Sequence, residues 1–318
     1  MRCCVVGGYG FIGRYLCTEL LRKGRRVVAI GRHAIPDKPI PGVEYITCDV
    51  NDRTTLRRVL ADCEEVVDLA YATIPKTSFL DPSHDLISNL PRMVGMMEEL
   101  RSCRKLRRLV LVSSGGTVYG PVNHLPIVEE TATSPISPYG ITKLAIEHYA
   151  SMYFHLHGIP SIVVRPSNAY GVGQRPFSGQ GFIATAIGNI VTEQEIVVFG
   201  EPGTVRDYLH VRDLAAGIVA SLDYGIDGEV YNIGSSIGRS NLDIIELIRP
   251  LSESEKLPIS IRHEPVRIFD VPTNVLDCGR LHARSGWIPK VPIEVGLIEM
   301  WEDLVRLSHL TKKFRNDG

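Results

Sequence analysis

The stretch CVVGGYGFIG (residues 4–13) determines how the start of this chain folds. It contains the pattern G-x-G-x-x-G as Gly8, Gly10 and Gly13, and the pattern G-x-x-G-x-x-G as Gly7, Gly10 and Gly13. An apolar run precedes the glycines, and an amphipathic run, FIGRYLCTELLRKG, follows them. A glycine turn between a buried strand and a helix lets the backbone approach a pyrophosphate at the helix N-terminus. The stretch therefore predicts a dinucleotide-binding unit, with a ligand-free glycine turn as the alternative.

Apolar strand patterns alternate with helical patterns through the first half of the chain. Further strands are predicted at RRVVAIG, VEYITCDV, EEVVDLA and RLVLVSS, with amphipathic segments between them. Continuous apolar strands separated by helices indicate a parallel sheet covered on both faces. We therefore predict an α/β fold with a doubly wound, Rossmann-like parallel sheet and right-handed crossovers.

A change in composition near Pro166 predicts a smaller C-terminal lobe. Beyond this point longer loops rich in glycine and proline, such as YGVGQRPFSGQG, separate shorter elements. We assign residues 1–166 to a dinucleotide-binding domain and residues 167–318 mainly to a substrate-binding lobe. Elements around residues 205–235, among them EVYNIG, are candidates to return to the main sheet.

The bulk composition argues against several classes of protein. The 318 residues carry a net charge of −1, which lacks the basic footprint of a nucleic-acid-binding protein. No apolar run reaches the roughly 18 residues that a membrane span needs. The seven cysteines show no CxxC spacing, so we expect neither a disulfide framework nor a metal site. Together with the absence of a signal-like opening, this usage predicts a cytoplasmic protein.

The end of the second predicted strand affects the choice of dinucleotide. A carboxylate at that point usually binds the ribose hydroxyls of NAD. This chain has Gly31 and Arg32 there instead. The sequence leaves two alternatives open: Arg32 binds a 2′-phosphate, which would mean NADP, or it stacks on adenine or faces solvent.

A tyrosine and a lysine four residues apart form the candidate catalytic pair. The segment SPYGITKLAIEHYA contains Tyr139 and Lys143, and residues i and i+4 share one face of a helix. A neighbouring ammonium and an oxidised nicotinamide ring both favour a phenolate, and so lower the phenol pKa from its usual value of about 10. Tyr139 is therefore a candidate general base assisted by Lys143.

Three segments in chain order, GGYGFIG, SSGGTVYG and YGITK, carry a family resemblance. Together they resemble the extended short-chain dehydrogenase/reductase family, and within it the nucleotide-sugar epimerase/dehydratase branch typified by UDP-glucose 4-epimerase. Later segments extend the resemblance over nearly the whole chain: RPSNAYG, GEPGTVRDYLHVRDLA, YNIG and RIFDVPTNVLD. It implies NAD as the cofactor and a nucleotide-diphosphate sugar as the substrate. With the apolar faces of two helices, around residues 84–104 and around Tyr139, it also implies a homodimer.

The resemblance also assigns site residues one by one. On the substrate side, Asn168 contacts the sugar nucleotide, Arg206 and Arg267 hold the diphosphate, and Asp270 lies near them. Two arginines distant in sequence suit a diphosphate, because each guanidinium can form charge-assisted hydrogen bonds with its oxygens. The residues implied on the cofactor side are Gly7, Gly10, Phe11, Ile12, Gly13, Arg32, Asp49, Val50, Ala70, Tyr139 and Lys143.

One position departs from the family pattern. A Ser or Thr four residues before the tyrosine of SSGGTVYG bonds the reacting sugar hydroxyl in the family, and this chain has Gly115 there. Ser114 and Thr117 are the candidate substitutes. Thr117 is slightly favoured if the segment stays extended, because alternate residues then share a face, whereas a tight turn favours Ser114. Gly116 and Thr117 stand where the family's dehydratases carry an Asp-Glu pair, so elimination of water lacks its acid and base.

The resemblance leads us to expect an NAD-dependent nucleotide-sugar 4-epimerase of the UDP-glucose/UDP-galactose type, which oxidises its substrate transiently at C4. One alternative is an NAD(P)-dependent nucleotide-sugar reductase or dehydrogenase, which Gly31 and Arg32 favour, or a dehydratase. Another is a non-catalytic protein that senses dinucleotides, which Gly115 mildly favours.

Overall fold

A seven-stranded parallel sheet lies at the centre of the molecule. The computed structural model describes residues 1–32, 34–36, 38–267 and 270–316, without the side chains of residues 308–316. In chain order the strands are β1 (Arg2–Val6), β2 (Arg26–Gly31), β3 (Val43–Thr47), β4 (Glu65–Asp68), β5 (Arg108–Val112), β6 (Ser161–Pro166), β7 (Asn168–Tyr170), β8 (Ile196–Phe199), β9 (Val205–His210), β10 (Val230–Ile233), β11 (Gly238–Arg239), β12 (Ile261–Glu264) and β13 (Thr273–Asn274). The central sheet has the order β10-β6-β5-β4-β1-β2-β3, and each neighbouring pair in it is parallel.

Helices cover both faces of this sheet. The helices in the described part of the chain, some of which belong to the smaller lobe, are α1 (Phe11–Arg22), α2 (Arg53–Leu60), α3 (Pro75–Leu80), α4 (Pro82–Leu100), α5 (Pro138–His157), α6 (Phe182–Val191), α7 (Val211–Tyr224), α8 (Asn241–Ser254), α9 (Gly279–Ser285) and α10 (Ile293–Asn316). Within the part of the chain that the structure describes, none of them is both long and apolar enough to cross a membrane.

Strand β1 shows why the central strands are apolar throughout. Cys3 and Val5 pack in the same buried layer as Leu16 of α1, whereas Cys4 and Val6 pack with the α4 side of the sheet. Successive side chains of a strand point to opposite faces, so a strand covered on both faces needs an unbroken apolar run. The prediction of a doubly wound, Rossmann-like parallel sheet is confirmed.

The strand order reverses next to β1. Strands β1, β2 and β3 extend to one side, and β4, β5, β6 and β10 extend to the other. In doubly wound sheets, ligands bind outside the carboxyl ends of the strands at such a switch point. The glycine loop after β1 and the loops after β4 and β5 therefore meet at the edge where a ligand is expected.

A smaller lobe comes mostly from the second half of the chain. Strands β7, β9, β11 and β13 form one small sheet, and β8 pairs with β12. Its apolar core includes Ile187 of α6, Ile245 of α8 and Trp301 of α10. Strand β10, by contrast, pairs with β6 in the main sheet. The domain boundary at residue 166 stays a prediction.

Candidate active site

A cleft of about 760 Å³ opens at the carboxyl edge of the central sheet, between the two lobes. The start of α1, the loops after β4 and β5, the start of α5 and the small sheet of the second lobe all contribute to its walls. The sequence-predicted residues that line it are Phe11, Ile12, Ser114, Tyr139, Lys143, Asn168, Arg206, Arg267 and Asp270. The fold thus brings residues from both halves of the chain to one site.

The glycines after β1 let the main chain pack tightly and come close to a bound ligand. Gly7 has φ +83°, in the left-handed region that favours glycine, and a Cβ there would lie 3.1 Å from the Ala70 amide nitrogen. A Cβ on Gly13 would lie 2.5 Å from the Gly7 carbonyl oxygen, so loop and helix can touch only without side chains. Gly10, the N-cap residue of α1, has no side chain to cap the helix. The first amide groups of α1 are therefore suited to phosphate oxygens, which fits the pyrophosphate of a dinucleotide.

The packing at the end of β2 explains why Gly31 stands where a ribose-binding carboxylate is usual. A Cβ on Gly31 would lie 2.6 Å from the ring of Tyr9, so Tyr9 occupies the space that a carboxylate side chain would need. Arg32 is exposed, and so is Asp49 after β3, whose carboxylate accepts a hydrogen bond from the Asn51 amide at 2.9 Å. The cofactor roles of Arg32 and Asp49, and that of the adjacent Val50, stay predictions. So does the alternative of a 2′-phosphate on Arg32.

The Tyr139–Lys143 pair lies on the first turns of α5, which begins at Pro138 with Ser137 as its N-cap. The Lys143 Nζ donates a hydrogen bond to the Val112 carbonyl oxygen at 2.8 Å, which ties α5 to the end of β5. The same Nζ lies 5.7 Å from the centroid of the Tyr139 ring. Burial lowers the pKa of Lys143 to about 8, although Asp68 acts to raise it. The predicted pair is therefore brought together on one face of the helix, at the cleft.

The ionisation of Tyr139 differs from the sequence expectation. We expected Lys143 to lower the phenol pKa, but burial, followed by the negative charge of Asp85, raises the Tyr139 pKa instead. Low dielectric disfavours the charged phenolate, and the nearby carboxylate acts in the same direction. Tyr139 therefore needs a further positive charge beside it to act as a base near neutral pH.

The segment after β5 forms a tight turn. The Ser114 carbonyl oxygen accepts hydrogen bonds from the amides of Thr117 (3.4 Å) and Val118 (3.2 Å), so the segment is not extended. Ser114 lines the cleft. The Thr117 hydroxyl oxygen is buried, and it has no hydrogen-bond partner among the described residues. The geometric condition that favours Thr117 is therefore not met, and the turn favours Ser114.

Gly115 itself faces away from the cleft. A Cβ there would lie 2.5 Å from the Leu276 Cδ1 and 3.0 Å from the Arg165 carbonyl oxygen. Its amide donates to the Pro166 carbonyl oxygen at 2.8 Å, and its carbonyl oxygen accepts from the Asn274 side chain at 3.0 Å. Both polar backbone groups of Gly115 are thus already bonded, which leaves the Ser114 hydroxyl as the better-placed group.

Ser113 is held by a buried ion pair behind the turn. Its hydroxyl bonds to the carboxylate of Glu147, which also pairs with the Arg165 guanidinium at 2.6 Å. The guanidinium of Arg165 lies 4.8 Å from the centroid of the Tyr119 ring. This network links β5, β6 and α5, so the Ser113 hydroxyl is already engaged by Glu147 although Ser113 also lines the cleft.

The two predicted diphosphate-binding arginines lie in the same wall of the cleft. Arg206 donates to the Val205 carbonyl oxygen at 2.8 Å, and burial lowers its pKa. The Arg267 Nε donates to Asp270 at 2.7 Å, and its guanidinium lies 4.0 Å from the centroid of the Phe199 ring. Asp270 raises the pKa of Arg206 and Arg267 lowers it, so the three charges influence one another. This end of the cleft suits an anionic group.

Sequence reasoning missed Tyr71, which lines the cleft between Tyr139 and Lys143. Its ring centroid lies 4.8 Å from that of Tyr139 in an edge-on contact, and 4.1 Å from the Lys143 Nζ. A signal was available, because Tyr71 follows β4 by three residues and so lies at the ligand-binding edge of the sheet.

Curated relatives resemble the chain over nearly its full length. A UDP-glucose 4-epimerase of Mycolicibacterium smegmatis is 29% identical over 313 residues, which cover 95% of this chain and 98% of the relative. A dTDP-4-dehydro-6-deoxyglucose reductase of Escherichia coli is also 29% identical, over 92% of this chain and 94% of the relative. Relatives of comparable identity thus carry different activities.

Solved structures resemble the fold just as fully. A UDP-glucose 4-epimerase of Thermotoga maritima with UDP-glucose superposes with a TM-score of 0.88, at 27% identity, over 96% of this chain and 99% of the other. A UDP-glucose 4-epimerase of Thermus thermophilus in complex with NAD gives a TM-score of 0.86, at 28% identity, with the same coverage.

A family model matches residues 3–234, a range that runs from the glycine loop through the Tyr139–Lys143 pair to the end of β10. The glycine loop fits the cofactor of that family, which is NAD. The chain is a member of the NAD dependent epimerase/dehydratase family.

Proposed function

We propose that the chain is an NAD-dependent nucleotide-sugar 4-epimerase of the UDP-glucose/UDP-galactose type. The observation that carries the proposal is the placement of Tyr139 and Lys143 in one wall of the cleft that Arg206 and Arg267 also line. A substrate in which a sugar is linked to a diphosphate suits this arrangement. Its sugar would lie against the base and its diphosphate against the two arginines.

In this mechanism Tyr139 removes the proton from the sugar 4-hydroxyl, and Ser114 orients that hydroxyl. Lys143, anchored on the Val112 carbonyl oxygen, supplies positive charge beside the phenol and holds the cofactor ribose. When bound, NAD would supply the hydride acceptor and donor for sugar C4 and, in its oxidised form, the further positive charge that the Tyr139 phenolate needs. Arg206 and Arg267 hold the diphosphate while the oxidised sugar turns its opposite face to the cleft wall. Tyr139 then returns the proton.

The residues at the turn after β5 argue against a dehydratase. Elimination of water needs a general acid and a general base beside the sugar. In the tight turn, Gly116 has no side chain, and the hydroxyl of Thr117 is buried away from the cleft. An epimerase needs no such pair.

A reductase is the second candidate. The Escherichia coli relative named as a reductase is as similar in sequence as the Mycolicibacterium smegmatis epimerase. The exposed Arg32 next to Gly31 is compatible with NADP, the usual donor in net reductions. A reductase consumes its cofactor stoichiometrically, whereas an epimerase regenerates it.

A homodimer through α4 and α5 is part of the proposal. These helices pack against each other, and their outer faces expose apolar side chains, among them Ile87 (68% exposed), Ile141 (56%) and Leu156 (69%). Several such residues on adjacent helices form a surface that a second copy can cover. We expect Ile87→Lys with Leu156→Lys to give a monomer in sedimentation at micromolar concentration. The matched change Ile288→Lys, at an exposed isoleucine outside these helices, should leave the assembly unchanged.

The activity is tested by incubating the purified protein and NAD with UDP-glucose, UDP-galactose and dTDP-glucose. Proton NMR identifies the products, while absorbance at the NADH wavelength is followed in parallel. The proposal expects interconversion of C4 epimers without accumulation of NADH. Stoichiometric NADH formation would support a net redox enzyme of the reductase or dehydrogenase type, and a 4-keto-6-deoxy product would support a dehydratase.

A further inference from the structure

Tyr71, which lines the cleft, and the buried carboxylate behind it form a unit that no role assigned above uses. Asp85, in the first turn of α4, is fully buried. Its Oδ2 accepts a hydrogen bond from the Tyr71 hydroxyl at 3.4 Å, and its Oδ1 bonds to the Thr73 hydroxyl. Burying a carboxylate is costly unless its charge is compensated, so this arrangement calls for a counter-charge.

The surroundings of Lys143 identify that counter-charge. Three carboxylates act on the Lys143 ammonium: Asp68 of β4, Glu147 of α5 and Asp85 of α4. Two of them form buried pairs with arginines, Asp68 with Arg92 at 2.9 Å and Glu147 with Arg165 at 2.6 Å.

The third carboxylate, Asp85, receives its hydrogen bonds from hydroxyls. The aromatic ring of Tyr71 stands between it and Lys143, with its face toward the ammonium at 4.1 Å and its hydroxyl toward the carboxylate. A cation over a tyrosine face is attracted by the ring's negative quadrupole, most strongly when desolvated.

We propose that Tyr71 and Asp85 are positioning residues that hold the Lys143 ammonium in place, with Asp85 as its counter-charge and the Tyr71 ring as the bridge. The inference rests on the role given to Lys143 in the proposed function, that of holding the cofactor ribose. One Lys143 N–H is fixed on the Val112 carbonyl oxygen and the Tyr71 face confines the ammonium from another side. A donor therefore remains aimed into the cleft. The same ring contacts Tyr139 edge-on, so one side chain sets the positions of both members of the catalytic pair.

The charge of Asp85 predicts a pH dependence of NAD binding that packing alone would not produce. Asp85 raises the pKa of Lys143, and it also raises that of Tyr139. Lys143 loses its charge as the pH rises through about 8, so NAD should bind progressively more weakly above that pH. Removing the carboxylate lowers the Lys143 pKa, and the loss of NAD affinity should then begin at lower pH. The other charged groups that act on Lys143, namely Asp68, Arg92 and Glu147, are unchanged by this substitution.

The experiment measures the dissociation constant of NAD by calorimetry between pH 6 and 9.5, which requires no sugar substrate. Asp85→Asn should move the midpoint of the affinity loss to lower pH. Tyr71→Leu should weaken NAD binding about three- to tenfold at neutral pH, and Tyr71→Phe, which keeps the ring over the ammonium, should stay within about twofold of the unmodified protein. The chain also offers a matched control, because Tyr153 of α5 donates to Glu98 of α4 in a similar tyrosine–carboxylate pair outside the cleft lining. Glu98→Gln and Tyr153→Leu should leave both quantities unchanged.

The proposal is overturned if Asp85→Asn keeps the midpoint of the unmodified protein, or if NAD affinity does not depend on pH at all. Should Asp85→Asn fail to fold, the comparison of Tyr71→Leu with Tyr71→Phe decides the question, since equal NAD affinities would exclude the ring contact. Failure of the unmodified protein to epimerise any nucleotide sugar would reject the proposed function. It would leave this binding measurement intact, so the two failures are distinguishable.

Discussion

Two glycine-rich turns follow two strands of the same sheet, and their glycines are there for different reasons. Where the loop after β1 packs against α1, a Cβ on Gly13 would lie 2.5 Å from one loop backbone atom and 2.6 Å from another, so two stretches of main chain touch. In the turn after β5, a Cβ on Gly115 would meet the end of the Leu276 side chain at 2.5 Å. A Cβ on Gly116 would find its nearest atom, the Asn168 Oδ1, only at 3.4 Å. Contacts between main-chain atoms thus require glycine in the first loop, whereas the side chain of Leu276 restricts the second turn at Gly115.

This difference explains what each turn can do. The loop after β1 presents main-chain groups to a cofactor, so its function depends on the absence of side chains. The turn after β5 places Ser114 in the lining of the cleft that Tyr139 also lines, so its proposed function depends on one hydroxyl, and its glycines only permit the turn. The same residue type therefore has a direct role in one turn and an indirect role in the other.

The largest expected effect is on NAD binding, when a side chain is added at a glycine in or beside each turn. Gly13→Val should abolish measurable NAD binding, because its side chain can be accommodated only if the Gly7–Gly8 backbone moves away from α1. Gly116→Ala should bind NAD within about twofold of the unmodified protein, since its Cβ makes an ordinary van der Waals contact. Calorimetry gives the affinities, and circular dichroism checks that both variants fold. Equal losses of affinity in the two variants would remove the distinction.

The next effect tests whether the second turn lies at the chemical centre. Tyr139→Phe should lower turnover about 10²- to 10⁴-fold, because the variant has no group to accept the sugar proton. NAD affinity should change little, because the Lys143 contacts with Val112 and Tyr71 do not involve the phenol. Turnover is measured by NMR and affinity by calorimetry. Near-normal turnover would exclude Tyr139 as the base.

A smaller effect identifies the hydroxyl at the turn. Ser114→Ala should lower turnover roughly ten- to a hundredfold, the consequence of losing one hydrogen bond of about 1–3 kcal/mol to the reacting group. Thr117→Val should change turnover less than about threefold, because its hydroxyl is buried away from the cleft. The double variant should be no slower than Ser114→Ala alone. A larger loss for Thr117→Val than for Ser114→Ala would reverse the assignment.

The smallest effect concerns stability rather than catalysis. Gly115→Ala should lower the free energy of unfolding by about 1–3 kcal/mol, because the added methyl overpacks the contact with buried Leu276. Gly116→Ala is the matched control and should shift it by less than about 0.5 kcal/mol. Urea unfolding of both variants provides the comparison. Equal stability of the two variants would show that Leu276 does not fix the turn.

The sequence predicts the features that depend on local spacing. The glycine loop, the alternation of strands and helices, and the Tyr139–Lys143 face each need only residues that are near one another in the chain, and the structure contains all three. Features that depend on distant partners are missed. The turn after β5 depends on Leu276, the short helix α3 was not predicted, and the contact of Tyr71 with Lys143 joins residues 72 positions apart. The raised pKa of Tyr139 is missed for the same reason, because burial depends on the whole fold.

The central claim is that Tyr139 and the bound cofactor oxidise a sugar at C4 and then return the same hydrogen to its opposite face. It is tested most directly with UDP-glucose that carries deuterium at C4, incubated with the protein and NAD and followed by NMR and mass spectrometry. The account predicts a C4 epimer that retains deuterium at C4, with no net NADH. An unlabelled product, or deuterium that appears in released NADH, would contradict it.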